Sequence, residues 1–470
     1  MDTTIYSGTS TSISFNRAIA ERLDRLPVSR ETLRIMLLAG IAWLVESYDI
    51  GIIGNVLPSL TKQFSLNAFT VGLLAIASTL GIVVAVIPSG MIADRIGRKK
   101  MLVVGTAWYA AFSFLCGLAT TPAMLIALRF ISGLGMGAIF PIPYAMAAEY
   151  MPRHFRGAMT SILDSFLSLG YFIAPLAAFA LIPQVSGDMG WRYLFFLGGL
   201  PLLYVPVLMR WMPESARWLQ ATGHEREADS IVQRIERRIE QRTGRPLPQP
   251  QIEASERVVS EKSSVRAVFS KGYLKRTIMM WISFSCILFM FYAIQTYTPT
   301  VLLKEGNTLG TSFLLTSIIV LASIPGKYAA AYALERFGRK FTLIWFAAIA
   351  AISAVIFGLV HDPVLAVAFG VIMSFFGIGV DPAIKIYGAE QYPTRMRETG
   401  IGFFEGVGRF FGGALAPFIM SFILTYSGIA GSYVFVAILA VGGLAAVALL
   451  GSETRGQAIE QVSEIQERAA

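Results

Sequence analysis

Residues 379–417 decide how the rest of the chain is interpreted, and their sequence is GVDPAIKIYGAEQYPTRMRETGIGFFEGVGRFFGGALAP. Both ends of this stretch are apolar enough to form membrane helices, yet the helices would contain four charged side chains: Asp381, Lys385, Glu405 and Arg409. A charge at the centre of a bilayer costs at least ~2.5–3.5 kcal/mol on insertion scales, so it is seldom retained without a pairing or transport role. Four such charges in two adjacent helices predict a substrate or ion pathway.

The composition of the chain is typical of a membrane protein. Of the 470 residues, 55% are hydrophobic and 15% are charged, whereas a soluble domain has about 25% charged residues. We predict an all-α membrane protein in which twelve apolar spans form two six-helix bundles around a central cavity. The predicted spans are residues 33–57, 69–92, 101–119, 123–148, 158–182, 192–212, 274–302, 311–334, 341–360, 364–388, 399–425 and 428–450.

The spans divide the chain into five predicted segments. Residues 1–32 form an N-terminal segment, 33–212 the N-terminal bundle, 213–273 a linker, 274–450 the C-terminal bundle and 451–470 a C-terminal tail. The first 32 residues are polar and the first apolar run has full length, so we expect no cleavable signal peptide. A short surface helix is expected at residues 16–26, and residues 225–242 have the charge pattern of an amphipathic helix with a solvated face.

The net charge of +9 is explained by topology. Of 39 Lys and Arg residues, four lie in spans and three on the opposite side, which leaves 32 on the side of the termini. This bias predicts that both termini and the linker are cytoplasmic. Cys116 and Cys286 both fall inside spans, so the sequence predicts neither a disulfide framework nor a metal site.

A loop motif occurs twice, about 240 residues apart. Residues 90–100 read GMIADRIGRKK, and residues 331–340 read AYALERFGRK. Two copies at this separation indicate two homologous halves of six helices each. The glycines and charged residues of both copies are candidates for conformational gating: Gly90, Asp94, Arg95, Gly97 and Arg98 in the first copy, and Glu335, Arg336 and Arg339 in the second.

The repeated loop resembles the signature of the major facilitator superfamily. Three further segments agree with it: RFISGLGMG from residue 129, EYMPRHFRG from residue 149 and PESARWL from residue 213. The resemblance covers nearly the whole chain and is to sugar porters, organic anion and cation transporters, SV2-like proteins and bacterial metabolite:proton symporters. It implies a secondary transporter in a bacterial inner (plasma) membrane that works by alternating access. It also implies gating roles for Glu149, Arg156, Glu390 and Arg397.

The expected substrate site departs from that of sugar porters. Counted from neighbouring motifs, the fifth-helix glutamine of sugar porters falls on Asp164, their seventh-helix glutamine pair on Cys286 and Ile287, and their tenth-helix tryptophan on Lys385. The run EQYPTRMRETGIG from residue 390 instead resembles a motif of organic-ion transporters. In the anion-carrying members an arginine follows the proline of that motif by sixteen residues, and the residue at that position here is Arg409.

The resemblance therefore implies an anion-binding role for Arg409. A guanidinium suits this role because its planar fork holds a carboxylate by two parallel hydrogen bonds and keeps its proton. The alternative is internal neutralisation, because Asp381–Lys385 and Glu405–Arg409 are both i,i+4 pairs. We expect Lys327 to extend towards the cytoplasm. The other candidate substrate contacts are Lys385, Asp164, Tyr292, Gln295, Tyr297, Asp381 and Glu405.

Proton coupling requires a buried acid near a cation, and Asp49 with Arg129 meets this requirement. At 1.5 Å per residue, the two side chains reach compatible depths in spans 1 and 4. Proton-coupled sugar porters pair a first-helix aspartate with a fourth-helix arginine in a similar way. The alternative is a static buried ion pair. Glu46, three residues before Asp49, and Asp164 are further candidate acids, and the alternative for each is a hydrogen-bonded polar contact.

We predict a proton-coupled symporter of a small organic anion, such as a carboxylate or an aromatic acid. The alternatives are a drug or organic-cation/proton antiporter whose acids face the ligand, a sugar porter, and a membrane sensor without transport activity. We expect no enzyme, because the sequence contains no nucleophile–base arrangement, metal-ligand spacing or phosphate loop. The proton is the only coupling ion expected, without other cofactors. The expected partners are a small molecule and the lipid bilayer, without nucleic acid, and the protein is expected to be a monomer.

Overall fold

The computed structural model describes residues 19–152, 155–185, 189–249, 268–392 and 396–455, and the regular secondary structure in these ranges is helical. Twelve spans, α1 to α12, follow one another along the chain, and five of them are built from more than one helical segment. Their bounds are α1 Arg30–Phe64, α2 Ala68–Ile96, α3 Arg98–Cys116, α4 Pro122–Ile139 with Ile142–Tyr150, α5 Arg156–Leu181, α6 Gly190–Gly198 with Pro201–Trp211, α7 Lys271–Lys304, α8 Leu309–Leu321 with Ser323–Phe337, α9 Arg339–Leu359, α10 Pro363–Gly377 with Asp381–Glu390, α11 Arg397–Gly408 with the π-helical segment Arg409–Ala414 and Leu415–Tyr426, and α12 Gly428–Leu450.

Eleven of these spans are long and apolar enough to cross a membrane. The exception is α3, which has 19 residues and begins with Arg98-Lys99-Lys100. It packs against α4 and α6 inside the N-terminal bundle. The fold class predicted from the sequence, an all-α membrane protein, is confirmed.

Several helices begin at capping residues that the sequence supplies. Ser29 makes a reciprocal capping box with Thr32 at the start of α1, and the Asn67 side chain accepts the Thr70 N–H at the start of α2. Asp362 accepts the Leu365 N–H at the start of α10, directly before Pro363. Such caps satisfy backbone donors that a helix leaves free, and each stabilises its helix by about 1 kcal/mol.

The breaks inside three spans lie next to residues of the predicted site. α4 is interrupted at Phe140, the second segment of α10 starts at Asp381, and the π-helical segment of α11 starts at Arg409. Irregular backbone at membrane depth is tolerated where it is buried in protein or lines a cavity. Short π segments also occur frequently at functional sites.

The two bundles meet most closely at the end of the molecule remote from the described chain ends, which we call the far face. There α1 contacts α7, α2 contacts the last segment of α11, and α5 contacts the first segment of α8. A Cβ added at Gly54 would lie 2.7 Å from the Thr296 carbonyl oxygen, and Ser421 Oγ donates to the Ala68 carbonyl at 2.9 Å. These close approaches hold the far face shut in this conformation.

The part of the linker that the structure describes up to residue 249 contains the helices Ala216–Ala221 and Glu225–Thr243. The second is amphipathic, as predicted, but its charged face is partly paired with the N-terminal segment. Arg22 lies 2.5 Å from Glu236 and 2.6 Å from Asp229, and Arg25 lies 2.6 Å from Glu236. Part of the surface that the sequence assigned to solvent is therefore an intramolecular contact.

Candidate functional site

In the N-terminal bundle, Asp49 of α1 and Arg129 of α4 form an ion pair sealed from solvent. Arg129 Nη1 lies 2.6 Å from Asp49 Oδ2, and both side chains are 0% exposed. Arg129 Nη2 donates to the Asp49 carbonyl at 3.1 Å and to Ser78 Oγ of α2 at 2.8 Å. Ser113 of α3 donates to the other carboxylate oxygen of Asp49. The predicted pair is present, and it joins four helices.

Glu46, three residues before Asp49, is buried without a hydrogen bond. Its side chain is 0% exposed, and neither carboxyl oxygen has a hydrogen-bond partner in the described part of the chain. Arg409 of α11 acts electrostatically on it from the other bundle, and Asp49 acts on it from the same helix. An isolated carboxylate is very costly to bury, so this environment favours the neutral acid.

A cluster of four charged side chains crosses from one bundle to the other. On α10, Lys385 Nζ lies 2.6 Å from Asp381 Oδ2, and it is 3.9 Å from Asp164 Oδ1 of α5. Lys327 of α8 lies 3.8 Å from Asp164 Oδ2. We call these four residues the interbundle cluster. Because α5 belongs to one bundle and α8 and α10 to the other, the cluster must rearrange if the bundles separate here.

The expectation that Lys327 extends towards the cytoplasm is wrong. Its side chain is 1% exposed, and its ammonium group donates to the Asp164 carbonyl at 2.8 Å. The carbonyl and carboxylate oxygens of Asp164 take the place of the water molecules that solvate an exposed lysine ammonium group. This environment depends on how α8 packs against α5, which the local sequence of α8 does not encode.

Arg409 has a partner on its own helix and a partner in the opposite bundle. Its Nη2 lies 3.3 Å from Glu405 Oε2, the i,i+4 pair expected from the sequence, and the Arg409 side chain is 12% exposed. Its guanidinium carbon lies 3.9 Å from the centre of the Phe140 ring of α4. Within the described residues the guanidinium makes one hydrogen bond, at 3.3 Å. Its capacity for hydrogen bonding is therefore largely unused.

Aromatic side chains surround the break in α4 at Phe140. Trp43 Nε1 donates to the Phe140 carbonyl at 3.0 Å. The ring centroids of Trp43 and Phe140 are 5.9 Å apart, and Trp43 stacks on Tyr144 at 6.4 Å. Sequence reasoning missed Phe140 and Trp43, although Pro141 and Pro143 after Phe140 were a local signal of a helix break.

The polar candidates on α7 have different environments. Tyr292 is buried, interacts with Tyr171 of α5 and lies within electrostatic range of Arg409. Gln295 is buried, its Nε2 lies 3.5 Å from the Tyr171 carbonyl, and its Oε1 has no partner among the described residues. Tyr297 donates its hydroxyl to the Pro417 carbonyl at 2.5 Å. That bond holds Tyr297 within its own bundle and favours a packing role over substrate contact.

Equivalent carboxylate networks lie at the ends of the two bundles nearest the termini. In the N-terminal bundle, Glu214 accepts the Lys99 N–H at 2.8 Å. Glu149 accepts from Ser215 Oγ at 2.5 Å and lies 3.6 Å from Arg98. Gly97, which joins α2 to α3, has a φ of +104°, a value that glycine adopts readily.

The C-terminal network repeats this pattern. Glu453 accepts the N–H groups of Arg339 and Lys340 at 2.9 and 3.0 Å. Glu390 lies 3.0 Å from the Arg339 guanidinium and accepts from Thr454 Oγ1 at 2.5 Å. Burial alone would raise the pKa of Glu453, but the backbone N–H groups that it accepts hold this pKa below its ordinary value. Sequence reasoning missed Glu453 and Thr454, although the order Glu-Thr after α12 matches the order Glu-Ser after α6.

The remaining gating candidates are less connected. Asp94, Arg95 and Arg336 are exposed, although the Asp94 carbonyl accepts from Trp218 Nε1 at 2.7 Å. A side chain at Gly90 would meet nothing within 4 Å, and exposed Glu335 lies 3.5 Å from Arg339. The side chains of Arg156 and Arg397 lie outside the described part of the structure.

The described residues contain no group of three or more His, Cys, Asp or Glu side chains placed to hold a metal ion. Cys116 and Cys286 are free thiols.

Comparison with known proteins points to one family. Residues 35–465 match the model of the family described as "Sugar (and other) transporter". The niacin transporter NiaP of Acinetobacter baylyi is 32% identical over 450 residues, which cover 94% of this chain and 99% of that protein. The 4-hydroxybenzoate transporter PcaK of the same species is 26% identical over 392 residues, which cover 83% of this chain and 84% of that protein.

A solved structure gives the same fold. The xylose transporter XylE from E. coli, in a partially occluded inward-open conformation, superposes with a TM-score of 0.73 at 18% identity. The match covers 92% of this chain and 100% of that chain. At this identity the likeness concerns the fold, and the substrate has to be inferred from the side chains of the site.

Proposed function

The chain belongs to the sugar (and other) transporter family, and from that premise we propose that it is a proton-coupled symporter of a small organic anion, with a planar aromatic carboxylate as its substrate. The family confirms the resemblance inferred from the loop motifs, and it makes the chain a multi-pass membrane transporter and not an enzyme. The observation that carries the substrate proposal is Arg409, a cation at mid-depth with one hydrogen bond and a flat aromatic neighbour.

The depth of Arg409 suits a transport site. It lies twelve residues after the start of α11 at Arg397, which corresponds to about 18 Å at 1.5 Å per residue. Transporters of this architecture bind substrate near the bilayer midplane between their two halves. Arg409 belongs to one half and rests on Phe140 of the other, so an anion bound there would contact both bundles.

The surroundings of Arg409 favour an aromatic acid. A carboxylate would take the free donors of the guanidinium, and the ring attached to it would pack against the face or edge of Phe140, Trp43 or Tyr292. Relatives of this chain are named as transporters of niacin and of 4-hydroxybenzoate. Both molecules are flat rings that carry one carboxyl group, which supports the same class here.

The charge balance opposes an organic cation as substrate. Asp381 is paired with Lys385 and Glu405 with Arg409, while Asp164 lies between two lysines. A cation entering this region would have to displace a lysine or arginine from each acid, whereas Arg409, although paired with Glu405, has hydrogen-bond donors that no described residue uses. An anion would instead compete with Glu405 for Arg409, or with Asp381 for Lys385.

The charges that hold the two bundles together support a mechanism of alternating access. The interbundle cluster links α5 to α8 and α10, and the far face is shut by close backbone contacts. We place both termini in the cytoplasm of a bacterium, with the protein in its inner membrane. An anion that engages Lys385 would weaken the hold of that lysine on Asp164 and so release the bundles.

The test is uptake of labelled niacin and 4-hydroxybenzoate into liposomes that contain the purified protein, with an inward proton gradient. We expect concentrative uptake by the natural protein. Arg409→Ala should abolish uptake, and Arg409→Lys should retain a small part of it because lysine cannot hold a carboxylate by a planar fork. Arg237→Ala, at an exposed position on the linker helix Glu225–Thr243, is the matched control. If Arg409→Ala transports these acids normally, or if the natural protein transports neither acid, the substrate proposal fails.

A further inference from the structure

We propose that Glu46, and not Asp49, is the residue that takes up and releases the transported proton, and that Arg409 couples this step to the anion. The inference rests on the proposed function, because it places the anion at Arg409. It differs from the pairing implied by sugar porters, in which the aspartate at the position of Asp49 would be the coupling acid.

The environment of Glu46 favours a bound proton in this conformation. Its side chain is completely buried, and both of its oxygens lack a hydrogen-bond partner among the described residues. Ionisation would place a negative charge in an apolar environment without a donor to stabilise it, at a far greater cost than burying the neutral acid. Arg409, whose charge acts on Glu46, is hydrogen-bonded to Glu405 in this conformation.

Asp49 has the opposite environment. Its two carboxylate oxygens accept from Arg129 and Ser113, and the Arg129 guanidinium also bonds the Asp49 carbonyl and Ser78. Protonation of Asp49 would leave the fully buried Arg129 without its counter-ion, and removing one partner of a buried pair is strongly destabilising. The Asp49–Arg129 pair is therefore suited to hold helices together through the cycle.

The titratable and charged groups facing Glu46 come from five helices. They are Asp49 on α1, Tyr109 on α3, Tyr171 on α5, Tyr292 on α7 and Arg409 on α11. Arg409 is the cation among them, and its two possible acid partners lie on different bundles. A turn of its side chain from Glu405 towards Glu46 would provide the counter-ion that an ionised Glu46 requires.

This arrangement links the proton to the anion. In this conformation Arg409 is hydrogen-bonded to Glu405, Glu46 holds its proton, and the guanidinium can bind an anion on the open side. When the anion leaves on the other side, Arg409 turns to Glu46, the O–H bond breaks and the proton passes to water there. When the empty protein opens again to the first side, Glu46 takes up a proton from water, the O–H bond forms and Arg409 returns to Glu405. Each ligand favours binding of the other, and this coupling is reciprocal.

The first test needs no substrate. Infrared difference spectroscopy of the purified protein at neutral pH should show the C=O stretch of a protonated carboxylic acid. This band should disappear in Glu46→Gln and persist in the double variant Asp49→Leu/Arg129→Met, which removes the Asp49 carboxyl without leaving Arg129 unpaired. Glutamine is nearly the same shape as the neutral acid, so we expect the variant to fold. A band that is missing in the natural protein, or unchanged in Glu46→Gln, would overturn the proposal.

The second test uses niacin exchange and proton-driven niacin accumulation in liposomes. In the natural protein, the rate of niacin exchange should vary with pH. In Glu46→Gln it should no longer vary with pH, and proton-driven accumulation should fall at least tenfold. Accumulation that survives in Glu46→Gln would overturn the coupling role. If the natural protein exchanges no niacin, the substrate proposal is at fault, and the infrared band still decides the protonation of Glu46.

Discussion

The two bundles each bury an arginine near the centre of the membrane, but they surround it differently. Arg129 is 0% exposed and is bonded to Asp49 and Ser78, with the ring of Phe195 at 5.6 Å from its guanidinium carbon. Arg409 is 12% exposed and makes one hydrogen bond to the described residues, at 3.3 Å. Both terminal nitrogens of the sealed arginine donate to protein, although its Nε has no described partner, whereas the partly open arginine retains most of its donors for a ligand.

The acids follow the same contrast. Asp49 accepts from two side chains in the N-terminal bundle, whereas Glu405, the partner of Arg409, is 28% exposed and lies at the longer distance of 3.3 Å. A fully buried ion pair with several hydrogen bonds takes much free energy to break, whereas a partly exposed pair exchanges partners at a low cost in free energy. We infer that the N-terminal pair is a fixed support and that the C-terminal pair is the part that responds to substrate.

The largest effect should come from Arg129→Met, which breaks the sealed pair. It leaves the Asp49 carboxylate buried without its counter-ion, and we expect a loss of ~3–5 kcal/mol in the free energy of unfolding. Thermal unfolding in detergent measures this loss. The double variant Asp49→Leu/Arg129→Met should recover much of the stability, because it removes both charges. A stable, well-folded Arg129→Met single variant would contradict the supporting role.

Arg409→Met is the matched substitution in the other bundle. Glu405 remains partly exposed to solvent, so the loss of folding stability should be below ~1 kcal/mol. Niacin uptake should nevertheless fall about 100-fold or more, because the variant removes a charged hydrogen-bonding partner of the anion. If both arginine variants destabilised the protein equally, the contrast between the two bundles would be wrong.

The sequence predicted this contrast only in part. The charges of the site, the i,i+4 pairs on α10 and α11 and the pairing of Asp49 with Arg129 were all predictable, because helical spacing and depth along a span follow from residue number. Phe140 under Arg409 and Asp164 between two lysines were not predictable. Those contacts depend on how helices of different bundles pack. The local sequence pattern of a helix does not show which helix it packs against.

The lack of a hydrogen bond at Glu46 was also beyond sequence reasoning. Glu46 and Asp49 are three residues apart on one helix, and the sequence made both of them candidate acids. The difference arises because Ser113 and Arg129, from α3 and α4, reach Asp49 and do not reach Glu46. Two acids of similar local sequence context thus acquire different roles from tertiary contacts.

A smaller effect is expected from Asp164→Asn, which tests how firmly the interbundle cluster holds the two bundles together. The substitution leaves Lys327 and Lys385 without the carboxylate between them, so α5 should separate from α8 more often.

The separation of α5 from α8 can be measured at Ser168, whose Oγ lies 3.2 Å from Ser323 Oγ across that contact. A cysteine introduced by Ser168→Cys, in a variant with both natural cysteines replaced by alanine, should react with a thiol reagent about fivefold faster or more. Asp362→Asn, at the start of α10, is the control, and equal labelling rates in both variants would contradict the role of the cluster.

Phe140→Ala should have a still smaller effect, on substrate affinity. The variant removes the ring on which the Arg409 guanidinium rests, a contact worth ~0.5–2 kcal/mol. We expect the KM for niacin to rise about threefold to tenfold, with little change in folding stability. Phe140→Trp keeps an aromatic face and should restore most of the affinity. An unchanged KM in Phe140→Ala would show that the ring does not position Arg409.

The smallest effect concerns the carboxylate networks in which the bundles are alike. The pKa of Glu453 is lower in the folded protein than its ordinary value, so its stabilising contribution is complete above the unfolded pKa of about 4.3 and is lost as the pH falls through the folded value. Glu453→Gln removes this pH-dependent contribution and should flatten the decline in thermal stability below about pH 5. Since Glu453 is only partly buried, the change should stay below ~1 kcal/mol. Glu227→Gln, at an exposed position on the linker helix, is the control for that measurement.

Glu214→Gln should destabilise the N-terminal bundle at neutral pH about as much as Glu453→Gln destabilises the C-terminal one, because Glu214 accepts a backbone N–H at the start of α3 and Glu453 accepts one at the start of α9. We infer that the ends of the two bundles nearest the termini are built alike, so the two variants should lose similar amounts of stability. A much larger loss in one variant would show that the bundles differ at these ends as well as around their buried arginines.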